Sequence, residues 1–455
     1  MTQSLIDVLA SGQIKQDQDS LALWGKDWSN GFEVAPSAIV FPESNEQVVE
    51  IVRYAIEEQI KLVPSGGRTG LSGGAVASNG EVVVSFDRMN KILHFNAEDR
   101  LVTCQAGVVT QALQEFAAER ELFYPVDFAS AGSSQMGGNV STNAGGIKVI
   151  RYGLTRDWVA GLRVVTGRGE LLDCNSGLVK NATGYDLRHL MIGAEGTLGL
   201  ICEVDVRLTA QPEPQTVMVV GVAKVEELLD VLSAFSRHLT LSAFEFFSDP
   251  ALKKVRAHRE LPSPLTDPAP FYALMEFDTS SLDAAGNAFA LCMDQGWVVD
   301  GVMSHSDAQA KALWALREGI SESIAPFTPY KNDLSVTINQ VPEFLQDVDR
   351  YVAKSYPDFE VCWYGHIGDG NLHLNILKPE HMSVEDFMAH GHAMSPNIFA
   401  LVKARNGSIS AEHGVGLLKK DFLDYSRSEA EIDLMRGLKN LFDPHQILNP
   451  GKLLV

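Results

Sequence analysis

Three glycine-rich segments between Pro64 and Ile201 limit what this chain can fold around. The first, PSGGRTGLSGGAVA from Pro64, places Gly66, Gly67, Gly70, Gly73 and Gly74 within nine residues. Without a Cβ, glycine lets backbone N–H groups turn toward an anion. The two phosphates of a dinucleotide suit such a loop. The second segment, SAGSSQMGGNVSTNAGGIKVIRYG from Ser130, adds small hydroxyl side chains that suit close approach to a planar cofactor. The third, KNATGYDLRHLMIGAEGTLGLI, begins at Lys180. One such cluster is ordinary turn chemistry, whereas three point to one extended ligand wrapped by backbone. No Gly-Lys-Ser/Thr closes the first segment, so it is not a P-loop. No G-x-G-x-x-G occurs anywhere, which argues against a nicotinamide enzyme of the Rossmann type.

A chain of 455 residues exceeds one ordinary core and predicts two or three units. From Pro36 to Arg207, helix-like and strand-like stretches alternate. SNEQVVEIVRYAIEE reads as a helix capped by Ser44, with Val48, Ile51, Val52 and Ala55 on one face. KLVPSGG, EVVVSF and LVTCQAG read as strands, and TQALQEFAAERE as a helix capped by Thr110. QPEPQ, from Gln211, breaks the pattern. Beyond it TVMVVGVA and FYALMEF read as strands, VEELLDVLSAFSRHL as a helix, and SHSDAQAKALWALREGISESI as one long helix starting near Ser306. The predicted division is 1–211, 212–420 and a C-terminal amphipathic segment, 421–455, that packs back on the first part.

The formal charge of −21, from 37 basic and 58 acidic residues, repels phosphate backbones and disfavours nucleic acid as a partner. It also requires any anionic substrate to find a local positive pocket. Cys104, Cys174, Cys202, Cys292 and Cys362 are odd in number and form no C-x-x-C pair, so they read as buried apolar thiols. The N-terminus lacks a basic region followed by an apolar run, and no stretch of about 18 uncharged apolar residues occurs. The expectation is a cytoplasmic chain with no transmembrane segment.

The strongest chemical constellation is GHIGDGNLHLN. His366 and His373 flank Gly-Asp-Gly-Asn, a turn signal, so the two imidazoles can face each other across a hairpin. His373 and Asn375 then alternate onto one face. SAEHGVG offers Glu412 as a carboxylate and His413 as a further imidazole. Two histidines and one carboxylate with open positions suit Zn²⁺, Mn²⁺ or Fe²⁺. On spacing alone a structural role stays open, because most histidine pairs bind no metal. Arg317 and Ser321, four apart on the predicted helix, share a face, and Lys331 follows. Arg317 can grip a carboxylate with its fork and Lys331 adds a point charge, although most such residues are merely solvated.

The motifs GGRTGLSGG, MGGNVSTNAGG, TGYDLRHLMIGAEGTLG, LWALREGI, GHIGDGNLHLN, SAEHGVG and ILNPGK occur in this order. From about Pro36 to Lys452 the chain resembles the FAD-linked oxidases of the vanillyl-alcohol oxidase type, in particular the D-2-hydroxyacid dehydrogenase group. The resemblance implies an α+β fold: a two-part FAD-binding domain, an α+β substrate cap, and a C-terminal helix returning to the FAD domain. It implies FAD contacts from Gly66, Gly67, Arg68, Thr69, Gly70, Gly73 and Gly74, from Ser133, Gly137, Asn139, Thr142 and Gly145, and from Ile201 and Asn449. The first loop holds no histidine for covalent attachment, so non-covalent FAD is expected. The resemblance also assigns a divalent metal, zinc first and manganese or iron second, to His366, His373 and Glu412. It places substrate on Arg317, Ser321, Lys331, Asn375 and His413, with His413 as general base. Relatives often carry threonine in place of Ser321, which keeps the hydroxyl. Two cations suit a dicarboxylate, so the expected reaction is oxidation of D-2-hydroxyglutarate, or D-malate, to the 2-oxo acid. The implied partners are an external electron acceptor, an electron-transfer flavoprotein or a quinone, and a second copy in a homodimer. The rival readings are a D-lactate or glycolate dehydrogenase, a phosphate-substrate flavoenzyme such as an alkyl-glycerone-phosphate synthase, and a non-catalytic flavin-binding subunit.

Overall fold

The computed structural model describes residues 9–454, so the first eight residues of the N-terminal stretch, read above as carrying no export signal, lie outside it. Two compact units form. The first comprises the chain up to Gly145, Gly153–Gln211 and everything from Glu412 onward; the second comprises Gly146–Tyr152 and Pro212–Ala411.

The first unit holds two main sheets. One is built from β1 (Ile14–Lys15), β2 (Ala38–Val40), β3 (Leu62–Ser65) and β4 (Val82–Ser85) in the order β1-β2-β4-β3. β4 pairs in parallel with β2 and β3, and β1 adds an antiparallel edge. Parallel strands are buried on both faces, which explains the unbroken apolar runs of β2 and β4. The helix Asn45–Glu57 makes the crossover from β2 to β3. Ser44 Oγ accepts the Gln47 N–H at 3.3 Å, and Val48, Ile51, Val52 and Ala55 are buried as their spacing predicts. The second sheet is antiparallel. It orders β5 (Ile92–Asn96), β6 (Leu101–Gln105), β8 (Val159–Thr166), β9 (Leu171–Cys174) and β10 (Gly199–Arg207) as β5-β6-β10-β8-β9. β7 (Leu122–Phe123) and β11 (Thr209–Ala210) form a separate ribbon. The helix Thr110–Ala118 departs from its predicted cap. Val109 takes the N-cap position, and the Thr110 hydroxyl bonds Ser134 instead.

The C-terminal stretch is stitched into this unit. Leu62 N–H donates to Ile447 O and Asn449 N–H to Leu62 O, both at 2.7 Å, so Leu448 runs parallel beside β3. The tail helix Glu429–Phe442 starts at Ser428, whose hydroxyl accepts from Glu431 N–H in a reciprocal cap.

The second unit is a seven-stranded antiparallel sheet ordered β15-β12-β14-β13-β17-β18-β16. Its strands are β12 (Gln215–Val222), β13 (Leu241–Ser248), β14 (Phe271–Asp278), β15 (Val298–Met303), β16 (Tyr330–Ser335), β17 (Glu360–His366) and β18 (Asn371–Leu377). Val217, Val219, Phe247, Leu274, Cys362 and Tyr364 from its strands share a core with Leu252 and Val255 of the helix Asp249–Arg259 and with Leu313, Leu316, Ile320 and Ile324. The predicted long helix from Ser306 divides. Ser306 caps Asp307–Glu318, the chain turns at Gly319, and Ile320–Ile324 forms a second short helix. Arg317 and Ser321 therefore stand on different helices, not on one face of one.

All five cysteines are buried and unbonded. Burial raises the thiols of Cys174 and Cys292 to about 11 and that of Cys362 to about 12, and pushes Cys104 and Cys202 higher still. Such thiols are inert. Among the described residues no helix is long and apolar enough to cross a membrane.

Candidate functional site

In the first unit the three glycine segments converge. β3 ends at Ser65 and leads directly into the first loop. A Cβ on Gly67 would lie 2.1 Å from Ser133 O and 2.8 Å from Ser134 Cα, so here backbone packs on the backbone of the second segment. Gly137 is equally confined, because its Cβ would meet that of Ala106 at 2.7 Å. Asn139 is buried and donates its amide to Thr110 Oγ1 at 2.7 Å, which ties the second segment to the helix Thr110–Ala118. The third segment joins through Glu195, whose N–H donates to Ser141 O at 2.8 Å. Asn449 closes the cluster: Nδ2 donates to Gly74 O at 2.9 Å and to Glu195 O at 2.7 Å. Of the predicted cofactor contacts, Gly66, Gly67, Gly74, Ser133, Gly137, Asn139 and Asn449 are thus brought together. Gly73 turns the loop with φ +79°, Thr69 and Gly70 lie toward its accessible side, Thr142 bonds Gly138 O, and Gly145 and Ile201 are buried. Arg68 folds back onto its own unit. Its guanidinium donates to Gly66 O at 3.0 Å, pairs with Asp87 at 3.3 Å and lies over Trp24. Asp87 also accepts from Trp24 Nε1 (2.7 Å) and Gln135 Nε2 (2.8 Å), so it is a hub that no motif announced.

This cluster fits a polar ligand. Ser65 Oγ, Gln135 Oε1 and Asn449 Oδ1 are buried and make no hydrogen bond among the described residues. Gln135 Oε1 lies 3.4 Å from where a Gly66 Cβ would stand, beside the first glycine loop. Buried acceptors are rarely left unpaired in a finished structure, and a flavin dinucleotide brings donors.

In the second unit the hairpin β17–β18 carries the two histidines. His366 pairs with Asn371, and Tyr364 with His373. The imidazoles are therefore diagonal neighbours on one face, with ring centroids 5.4 Å apart at 81°. His366 Nδ1 lies 2.7 Å from Glu245 Oε1 on β13. His373 Nδ1 lies 3.8 Å from Asp333 Oδ1 on β16, its registered partner, and Asp333 also accepts from Asn371 Nδ2 at 2.8 Å. Two imidazoles with carboxylates behind them are a donor set that fits a divalent cation. Asp369, in the turn, has its carboxyl pushed up to about 6 by burial, against the pull of His366.

Tyr364 gathers the predicted substrate residues. Arg317 is 7% exposed and its guanidinium lies 4.6 Å from the Tyr364 ring centre. Burial raises the pKa of the Tyr364 phenol, while Arg317, Ser321 and Asn375 pull it back down. Lys331 donates to Ser321 Oγ at 3.1 Å; it keeps access to solvent, yet surrounding protein lowers its pKa. Arg317 Nη2 is ion-paired with Glu245 Oε2 at 2.7 Å, and Nε makes no hydrogen bond among the described residues. A buried guanidinium with a donor in hand suits a carboxylate ligand.

The motifs left out Glu245, Asp333 and Tyr364. Glu245 had a signal: it is the one charge in LSAFEFFS, a strand whose eight residues are all buried. A carboxylate in such a run must be paired. Glu412 and His413 open the last stretch of the first unit, directly after Ala411 of the second. Ser72 Oγ donates to His413 O and to Gly414 O, and Glu195 accepts the N–H groups of Val415 and Gly416 at 2.7 Å each. His413, Gly414, Val415 and Gly416 are thereby fastened to the first and third glycine segments.

Residues 211–453 match the FAD linked oxidases, C-terminal domain, and residues 36–175 the FAD binding domain. The chain belongs to the FAD-linked oxidases. It is an FAD-dependent dehydrogenase by this membership and by its relatives. It is 57% identical to a D-2-hydroxyglutarate dehydrogenase of Stutzerimonas stutzeri (strain A1501), over 99% of this chain and 98% of the relative. A protein of the same name from Xanthomonas citri pv. viticola is 52% identical over 99% and 96%, and the mitochondrial one of Bos taurus 36% over 99% and 82%. Among solved structures, p-cresol methylhydroxylase superposes with TM-score 0.74 at 15% identity, covering 99% of this chain and 95% of that one. Alkyldihydroxyacetonephosphate synthase does so at 0.73 and 18%, covering 98% and 84%. At that identity the likeness concerns fold alone, and it is the α+β fold of the vanillyl-alcohol oxidase type.

Proposed function

We propose that this FAD-linked oxidase converts D-2-hydroxyglutarate to 2-oxoglutarate on non-covalently bound FAD, assisted by a divalent cation on His366, His373 and Glu412. The observation that carries the reading is the 57% match, nearly end to end, to a relative bearing that activity in its name. The arrangement around Tyr364 supports it. Arg317 Nε is an unused donor for the distal carboxylate, Lys331 adds a second positive charge, and Ser321 and Asn375 supply polar groups beside them. Two cations favour a dicarboxylate over lactate or glycolate, and D-malate is the shorter alternative. When bound, the cation supplies Lewis acidity toward the 2-hydroxyl and the flavin supplies the hydride acceptor. His413 accepts the hydroxyl proton as the general base. Zinc is the first choice of cation, because two imidazoles and a carboxylate suit it. Electrons leave to an external acceptor, an electron-transfer flavoprotein or a quinone.

The test is anaerobic addition of D-2-hydroxyglutarate to the purified flavoprotein while the flavin band is followed. Bleaching by the D acid, not by the L acid, and lost after chelation is the expected result. In Glu412→Ala the protein should stay yellow, lose its metal and no longer bleach. Bleaching by D-lactate or glycolate alone overturns the substrate, and full turnover with retained metal in Glu412→Ala overturns the third ligand.

A further inference from the structure

We infer that Glu245 is a positioning residue that holds the His366 imidazole and the Arg317 guanidinium with one carboxylate, so that metal affinity and substrate grip share a bracket. The inference rests on the metal reading proposed above and adds to it a residue outside every motif. Glu245 is fully buried on β13. β13 runs antiparallel to β17 with Phe246 opposite Gly365 and Phe247 opposite Tyr364. Continuing that register by one residue puts Glu245 opposite His366, so the sheet itself sets the contact. Oε1 lies 2.7 Å from His366 Nδ1, and Oε2 lies 2.7 Å from Arg317 Nη2.

A carboxylate at Nδ1 accepts that proton and fixes the tautomer in which Nε2 carries the lone pair. Carboxylates behind ligating histidines orient the ring and raise its basicity, and their loss typically weakens metal binding about 10–100-fold. The other oxygen holds Arg317 over the Tyr364 ring, whose neighbours His373, Ser321 and Asn375 complete the polar wall. An amide at this position can accept from one partner but must present N–H to the other. Glu245→Gln therefore breaks the bracket without changing the side chain's volume. Glu245→Asp keeps the charge, which protects folding, but its carboxylate is one methylene shorter and cannot span both partners.

The experiment measures Zn²⁺ content by mass spectrometry and Zn²⁺ dissociation constants by chelator competition on the flavin-loaded wild type, Glu245→Gln, Glu245→Asp and His366→Ala. FAD stoichiometry and melting temperature serve as folding controls. The expected result is a Zn²⁺ affinity about 10–100-fold weaker in Glu245→Gln, with FAD retained. Glu245→Asp should weaken in the same direction. At saturating Zn²⁺ both should still show a raised KM for D-2-hydroxyglutarate, which a purely structural role would not link to metal affinity. Zn²⁺ binding as tight as wild type in either folded variant overturns the bracket. Wild type binding Zn²⁺ no better than His366→Ala overturns the metal reading on which it stands.

Discussion

Asp443→Ala should loosen the C-terminal tail from the first unit and take the flavin with it. Asp443 is fully buried just after the tail helix. Its carboxylate pairs with Lys439 Nζ and accepts the N–H groups of Ile447 at 3.1 Å and Leu448 at 2.9 Å. Lys439 also donates to Thr197 O at 2.8 Å and Leu448 O at 2.7 Å, and burial lowers its pKa. Removing Asp443 strands a buried ammonium and leaves two buried amides without their acceptor. Breaking a buried pair in this way costs about 3–5 kcal/mol. At about 2–4 °C per kcal/mol for a unit of this size, melting should fall by roughly 10 °C. Leu448 and Asn449 follow immediately, and Asn449 bridges Gly74 and Glu195, so bound FAD should drop before global unfolding. The assay is thermal melting followed in parallel by circular dichroism and flavin fluorescence. Adding Lys439→Met to Asp443→Ala removes the stranded charge and should recover much of the loss. A single variant within about 1 kcal/mol of wild type refutes the argument, as does a double variant no more stable than the single one.

Gly67→Ala should expel FAD, because its methyl would overlap Ser133 O at 2.1 Å and force the first two segments apart. Gly286→Ala, in the helix Leu282–Asp294 of the second unit with nothing within 4 Å of its Cβ position, is the silent control; the ratio of flavin to protein absorbance separates the two. Lys452 is 3% exposed, and burial lowers its ammonium to about 8 from 10.5. The folded state then disfavours the charged form, so a cost of about 3 kcal/mol is present below pH 8 and relieved as pH rises from 8 to 10.5. Relative to Lys452→Met, wild-type stability to denaturant should therefore rise across that window; parallel curves for the two proteins would contradict it.

What the sequence disclosed about this fold follows from how local each signal is. The face of the helix Asn45–Glu57 was readable because burial repeats with helical period and Ser44 marks its start. The hairpin holding His366 and His373 was readable because Gly-Asp-Gly-Asn is turn chemistry. The division of the predicted long helix at Gly319 was less readable, since one glycine inside a helical pattern does not state whether the helix will continue. Arg317 and Ser321 nevertheless meet at Tyr364, through β17 and two helices rather than one helical face. Glu245 was least readable, because its partners lie far along the chain at Arg317 and His366 and only strand pairing joins them. Its character as the sole charge in an apolar strand is still a local fact. A buried carboxylate demands donors, and in this second unit the donors it takes belong to a candidate metal ligand and a candidate substrate clamp. A lone charge inside a buried strand is thus a pointer to the site that needs no motif.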